Sequence, residues 1–144
     1  DLCLLWAKGK GLSRRSLTWK TRQVPDLGEG EVLLCVEKFS FSQMSLGYLM
    51  KGFTRTFGAY HNFYKYPEDE LYRSACWGYA RVMESTHPKV AVGTRLYGLV
   101  PPCRYQVMPV GGTIPAGKNG EHPAIVELAM EDVPFNLRRF QEME

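Results

Sequence analysis

Apolar residues along the chain recur in short runs and in alternation, the period of strands buried on one face, more than at the three-to-four spacing of amphipathic helices. Residues 2–7 and 16–23 read as an opening pair of strands around the loop Lys8-Gly9-Lys10-Gly11. Pro25-Asp26-Leu27-Gly28-Glu29-Gly30 carries the Gly, Pro and Asp of a turn. Residues 31–41 follow as a run rich in Val, Leu, Phe and Cys, which predicts a largely buried central strand. Further strands are predicted over 76–84, 95–99 and 105–110, joined through His87-Pro88 and Val92-Gly93. Helix is predicted only near the end, over 123–130 and 135–142, where Ile125, Leu128 and Ala129 stand at helical spacing. Many short strands with Gly and Pro turns argue for a barrel or a sandwich. The expected core holds Val32, Leu34, Val36, Val82 and Leu96.

Residues 44–72 break this pattern. Glycines and the rings of Tyr48, Phe53, Phe57, Tyr60, Phe63, Tyr64 and Tyr66 follow one another too irregularly for a helix and over too great a length for a hairpin turn. The segment predicts a large loop, and Lys51, Arg55 and Lys65 are interleaved with its rings. Aromatic side chains are enriched at interfaces, so Phe53, Arg55, Phe57 and Tyr60 are the expected partner-facing residues. The competing reading has the same rings folding back to cap the barrel.

A chain of 144 residues is long enough to bury one core without covalent staples, and its 44% hydrophobic content is that of a globular protein. No apolar run approaches the roughly 18 residues needed to cross a bilayer, so no transmembrane segment is expected, and any membrane association would be peripheral. Asp1 is not preceded by an initiator Met or a signal segment, which implies a processed product or the ordered part of a longer chain. A chloroplast or mitochondrial assembly suits a product that has lost a transit peptide; otherwise the cytoplasm is implied.

Cys3, Cys35, Cys76 and Cys103 never form the close pairs of metal or redox sites and read as buried thiols. The net charge of +3 is unevenly spread, with Lys8, Lys10, Arg14, Arg15, Lys20 and Arg22 crowding one segment and Glu127, Glu131, Asp132, Glu142 and Glu144 loading the other end. The basic arm fits either an acidic partner or a solvated edge hairpin. Nucleic acid is not expected as a partner.

Two stretches carry a family resemblance. Leu27-Gly28-Glu29-Gly30-Glu31-Val32-Leu33-Leu34-Cys35-Val36 is similar to the opening strand of the medium-chain dehydrogenase/reductase superfamily. Trp77-Gly78-Tyr79-Ala80-Arg81-Val82 with Val90-Ala91-Val92-Gly93-Thr94-Arg95-Leu96-Tyr97-Gly98 resembles its hairpin motif, in the right order. Phe39-Ser40-Phe41-Ser42, Tyr48, His87-Pro88 and Arg104-Tyr105-Gln106-Val107-Met108-Pro109 resemble a zinc-free branch described as a domain of unknown function. The resemblance spans roughly 27–110 and implies a mainly β fold: a GroES-like, partly open barrel over 1–110, with 111–144 as a connecting loop and short helical tail.

The superfamily's nucleotide-binding turn, G-x-G-x-x-G between strand and helix, has no counterpart here. Gly111-Gly112-Thr113-Ile114-Pro115-Ala116-Gly117 is glycine-rich, but its proline and the lack of a following helix make it a connecting loop. Where the resemblance would place a zinc-binding Cys and a His-Glu pair, the chain has Ser40-Phe41-Ser42-Gln43 and Gly78-Tyr79-Ala80-Arg81. No metal and no cofactor is therefore expected. His61, His87 and His122 are scattered, and the last two precede prolines, which favours surface loops over a triad. In the zinc-free branches the corresponding loop faces nicotinamide and substrate, which makes Ser42 and Tyr48 the substrate-facing candidates, with loop packing as their plain alternative. Met44-Ser45 stands where the branch tends to have paired asparagines.

Three functions fit these features. The first is a non-catalytic barrel serving as a structural or accessory subunit of a larger assembly. The second is the substrate domain of a zinc-free NADPH-dependent reductase whose nucleotide-binding domain lies outside this chain. The third is a small-ligand binding module.

Overall fold

A computed structural model describes residues 2–7, 17–45, 47, 71–72, 75–129 and 139–143. The strands, in chain order, are β1 (Leu2–Ala7), β2 (Leu17–Thr21), β3 (Glu31–Ser40), β4 (Leu71–Tyr72), β5 (Cys76–Ser85), β6 (Arg95–Val100), β7 (Tyr105–Ile114), β8 (Ile125–Leu128) and β9 (Arg139–Met143). Strands β2, β1 and β4 form a three-stranded antiparallel sheet. The other six close into an antiparallel barrel in the order β3-β5-β6-β9-β8-β7, with β7 returning to β3 from Glu31↔Pro109 to Cys35↔Tyr105.

The alternation that predicts strands is the alternation that builds this interior. Along β5, Cys76, Gly78, Ala80 and Val82 are buried, while Trp77, Tyr79 and Arg81 turn outward. Val32, Leu34, Leu96, Val100, Met108, Val126, Leu128 and Phe140 join Ala80 and Val82 in one apolar cluster, with Val36 packed at its edge. All five expected core residues thus contribute to it. Full burial of an aliphatic or Phe side chain supplies about 1.5–3 kcal/mol, so these residues dominate the barrel's stability.

The end of the chain departs from expectation. Residues 125–128 and 139–143, expected within helices, are strands, and they supply two staves of the closed barrel. Val126 and Leu128 are the buried positions of β8, an alternation of two that four residues cannot distinguish from helical spacing. Phe140 of β9 is wholly buried and completes the core. The end expected for the barrel, residue 110, falls inside β7, which continues to Ile114 and pairs with β8. Among the described residues near the chain end, helical conformation is confined to a 3-10 turn, Lys118–Gly120.

Two glycines record how tightly the staves approach. A Cβ on Gly98 would lie 2.5 Å from Cδ1 of Phe140, so the ring occupies the space a side chain would need. On Gly78 it would strike the carbonyl oxygen of Lys38 and lie 2.8 Å from Cγ2 of Val100. The predicted turn before β3 is pinned to the β5–β6 connection by Thr86, whose hydroxyl accepts from the Glu31 N–H at 2.9 Å and lies 2.7 Å from the Gly28 carbonyl oxygen.

Cys76 and Cys103 are buried thiols outside any disulfide, Cys35 is half-buried, and Cys103 Sγ donates to the Tyr105 carbonyl at 3.2 Å. The Cys3 side chain lies outside the described residues. So does most of the basic segment; of its described members Lys20 and Arg22, Arg22 donates to Gln106 Oε1 at 3.1 Å.

Candidate functional site

A register slip in β3 creates the site. Val36 faces Ala80, but the next pair is Lys38 with Tyr79, so Glu37 is an extra residue on the β3 side. A bulge of this kind reverses the alternation beyond it. Lys38 and Ser40 thereby come to lie beside Tyr79 and Trp77 on the outer wall, whereas the odd-numbered residues of β3 faced outward before the slip.

Neighbouring β6 completes the surface. Tyr79 stands directly opposite Tyr97, and Arg81 directly opposite Arg95. The Trp77 and Tyr97 rings stack with centroids 5.7 Å apart, and the Tyr79 and Tyr97 rings lie 5.0 Å apart at 45°. The Arg95 guanidinium sits 5.0 Å from the Tyr79 centroid, a cation–π distance. Arginine, two tyrosines and a tryptophan form a continuous row across two strands.

Directly opposed like charges destabilise a sheet, and the bulged residue resolves this conflict. Glu37 Oε1 accepts from Arg81 Nε at 2.9 Å and Oε2 accepts from Arg95 Nε at 2.7 Å. Desolvation pushes the Glu37 carboxyl up; the hydrogen bonds from Arg95 and Arg81, together with their charges, outweigh it and hold the group below its ordinary value.

Between the row and the β3 lip runs an open groove of roughly 340 Å³, lined by Lys38, Phe39, Ser40, Trp77, Gly78, Tyr79 and Tyr97. Its volume lies at the lower end of ligand-binding clefts. Phe39, Phe41 and Met44, along the same lip and its continuation, are among the exposed large hydrophobic residues.

Ser42 is exposed and lies two residues beyond the groove's Ser40; its backbone N–H donates to Ser45 Oγ at 3.3 Å. Ser45 itself is 1% exposed and donates to the Ser40 carbonyl at 3.3 Å, so this hydroxyl braces the exit of β3. Tyr48, Phe53, Arg55, Phe57, Tyr60 and His61 lie outside the described residues. His87 and His122 both serve their own loops: His87 Nδ1 accepts from the Lys89 N–H at 3.3 Å, and His122 Nδ1 lies 3.0 Å from the Pro123 carbonyl oxygen.

Sequence reasoning missed Glu37, Lys38, Trp77, Tyr79, Arg81, Arg95 and Tyr97 as a constellation. A signal was present. Trp77, Tyr79 and Arg81 alternate in one strand, and Arg95 and Tyr97 mirror them in the next, as an antiparallel hairpin requires.

Among the described residues, no three His, Cys, Asp or Glu residues stand together where they could hold a metal ion, and no helix is long and apolar enough to cross a membrane. Comparison with curated proteins finds no significant match. The sequence model of one family, described as Protein of unknown function (DUF2855), matches residues 39–125, more than half of the chain and every groove-lining residue except Lys38. The chain belongs to this family.

Proposed function

We propose that the chain is a non-catalytic, GroES-like barrel that serves as an accessory subunit of a larger assembly and docks through the aromatic groove of its outer wall. The observation that carries this reading is the division between the two barrel faces. The interior is lined by buried apolar side chains such as Phe140, Leu34, Leu96 and Met108. The concave, aromatic surface faces outward instead. Aromatic rings carry a large share of binding energy at interfaces, and a rigid sheet presents them already ordered. Kinship with the medium-chain dehydrogenase/reductases is supported by the two strand motifs and by the barrel itself. An organellar assembly is the setting we propose on sequence grounds alone.

The test is co-migration of the chain with its native assembly, wild type against Trp77→Ala and Tyr97→Ala, alongside thermal unfolding. Loss of co-migration with a folded, cooperatively melting chain is the expected result. Unchanged co-migration of both folded variants would refute docking through this groove.

A second reading, the substrate domain of a zinc-free NADPH-dependent reductase, draws on Ser40 at the groove and Ser42 just beyond it. Hydroxyls beside an aromatic shelf can hydrogen-bond a carbonyl. Carbonyl reduction with NADPH by the full-length gene product, lost on Ser40→Ala, would favour it.

A further inference from the structure

The chemistry of the groove specifies an occupant. Trp77 Nε1–H and Lys38 Nζ can only donate hydrogen bonds, and the hydroxyls of Tyr79 and Tyr97 can donate as well as accept. Among the described residues, none of these four side chains has a hydrogen-bond partner. Charge points the same way. Arg81 and Arg95 share the single carboxylate of Glu37, and Lys38 stands at the lip without a counter-ion among the described residues, so the cluster is net positive. Phe39 at the lip and Phe41 and Met44 after it are exposed at 40%, 41% and 58%.

We infer that the groove takes an acidic polypeptide segment in extended conformation, one that sets a bulky side chain against Trp77 and Tyr97 and carboxylates toward Lys38 and Arg95. The inference rests on the reading of the groove as a docking face and adds the partner's chemistry. A polypeptide fits better than a nucleic-acid strand. Both could stack a ring and present anions. Only a polypeptide also brings apolar side chains to meet the exposed Phe39 that lines the groove.

The probe is an acetylated, amidated peptide that alternates Glu with Leu and Phe, compared with its Lys counterpart and with a short oligothymidylate. Binding is followed by the indole N–H resonance of Trp77 in the full chain. Saturable binding of the acidic peptide is expected, weakening as salt shortens the Debye length below about 10 Å. Lys38→Glu should weaken it roughly three- to tenfold and Lys38→Gln by less, as for a rim charge, with unchanged melting in both because Lys38 is exposed. Three outcomes overturn the inference: no saturable binding by the acidic peptide, equal binding of the Lys peptide, or a Trp77 response to oligothymidylate alone. The docking reading falls separately. A chain that co-migrates through its groove yet ignores the acidic peptide sinks only the inference about chemistry; one whose folded groove variants still co-migrate, while the peptide binds, sinks only the docking role.

Discussion

Consecutive residues of β6 lead opposite lives. Gly98 faces inward, where the Phe140 ring fills the space beside it, and Tyr97 faces outward into a groove whose other wall is β3. Its partner β5 repeats the contrast, with Gly78 and Ala80 buried between the outward Trp77, Tyr79 and Arg81. Inside the barrel, volume is the constraint and the residues are small where a neighbour is large. Outside, ring geometry and charge are arranged while donors stay unspent. The difference teaches that one pair of strands can separate stability from recognition at single-residue resolution, because side chains of a strand alternate between faces. Substitutions on one face should leave the property of the other intact.

The largest expected effect breaks the inner face. Phe140→Ala removes a fully buried ring from the strand that helps close the barrel, and a loss of about 3–5 kcal/mol is expected in the unfolding free energy measured by denaturant titration. A loss below about 1 kcal/mol would mean that β9 is not an integral stave. Next comes Gly98→Ala, which forces a Cβ against the same ring and should cost about 1–3 kcal/mol. Pairing it with Phe140→Leu sharpens the point: the double variant should lose less than the two single losses combined, since a smaller side chain makes room for the methyl group. Strict additivity in unfolding measurements would show that the two positions do not compete for space.

On the outer face the order of effects reverses. Tyr97→Ala disrupts two ring contacts and should cost about 0.5–1.5 kcal/mol for each aromatic pair, less than the Phe140 substitution, while abolishing docking. Collapse of the fold in this variant would erase the distinction between the faces.

The smallest effect concerns Glu37. Partly exposed ion pairs contribute about 0.2–1 kcal/mol each, so Glu37→Gln should destabilise only slightly at neutral pH. Because the folded state holds this carboxyl below its ordinary value of 4.5, its contribution is present above that pH and disappears as the pH falls through the lowered value. Wild type and Glu37→Gln should therefore converge in acid-unfolding curves. A gap that widens in acid would contradict the pairing.

How much of this was legible in the sequence follows from the range of each interaction. Alternation in Cys76 to Val82 and in Glu31 to Val36, together with the Gly and Pro turns, is local information that predicts a barrel or a sandwich; the family resemblance of the same stretches points to the barrel, and all five named core positions lie in or against its core. Opposed residues in a hairpin are nearly local, and the Trp77, Tyr79, Arg81 series against Arg95 and Tyr97 was open to reading. Three things were decided only by tertiary structure. Short segments such as 125–128 are compatible with helix or strand until a partner exists; β8 becomes a strand because β7 and β9 satisfy its backbone and bury Val126 and Leu128. Gly98 and Phe140 are far apart in sequence, so their fit belongs to the closed barrel. The slip at Glu37 has no local signature either: it arises from matching β3 to β5 across the barrel, and that single unpaired residue brings Lys38 to the groove and a carboxylate between two arginines.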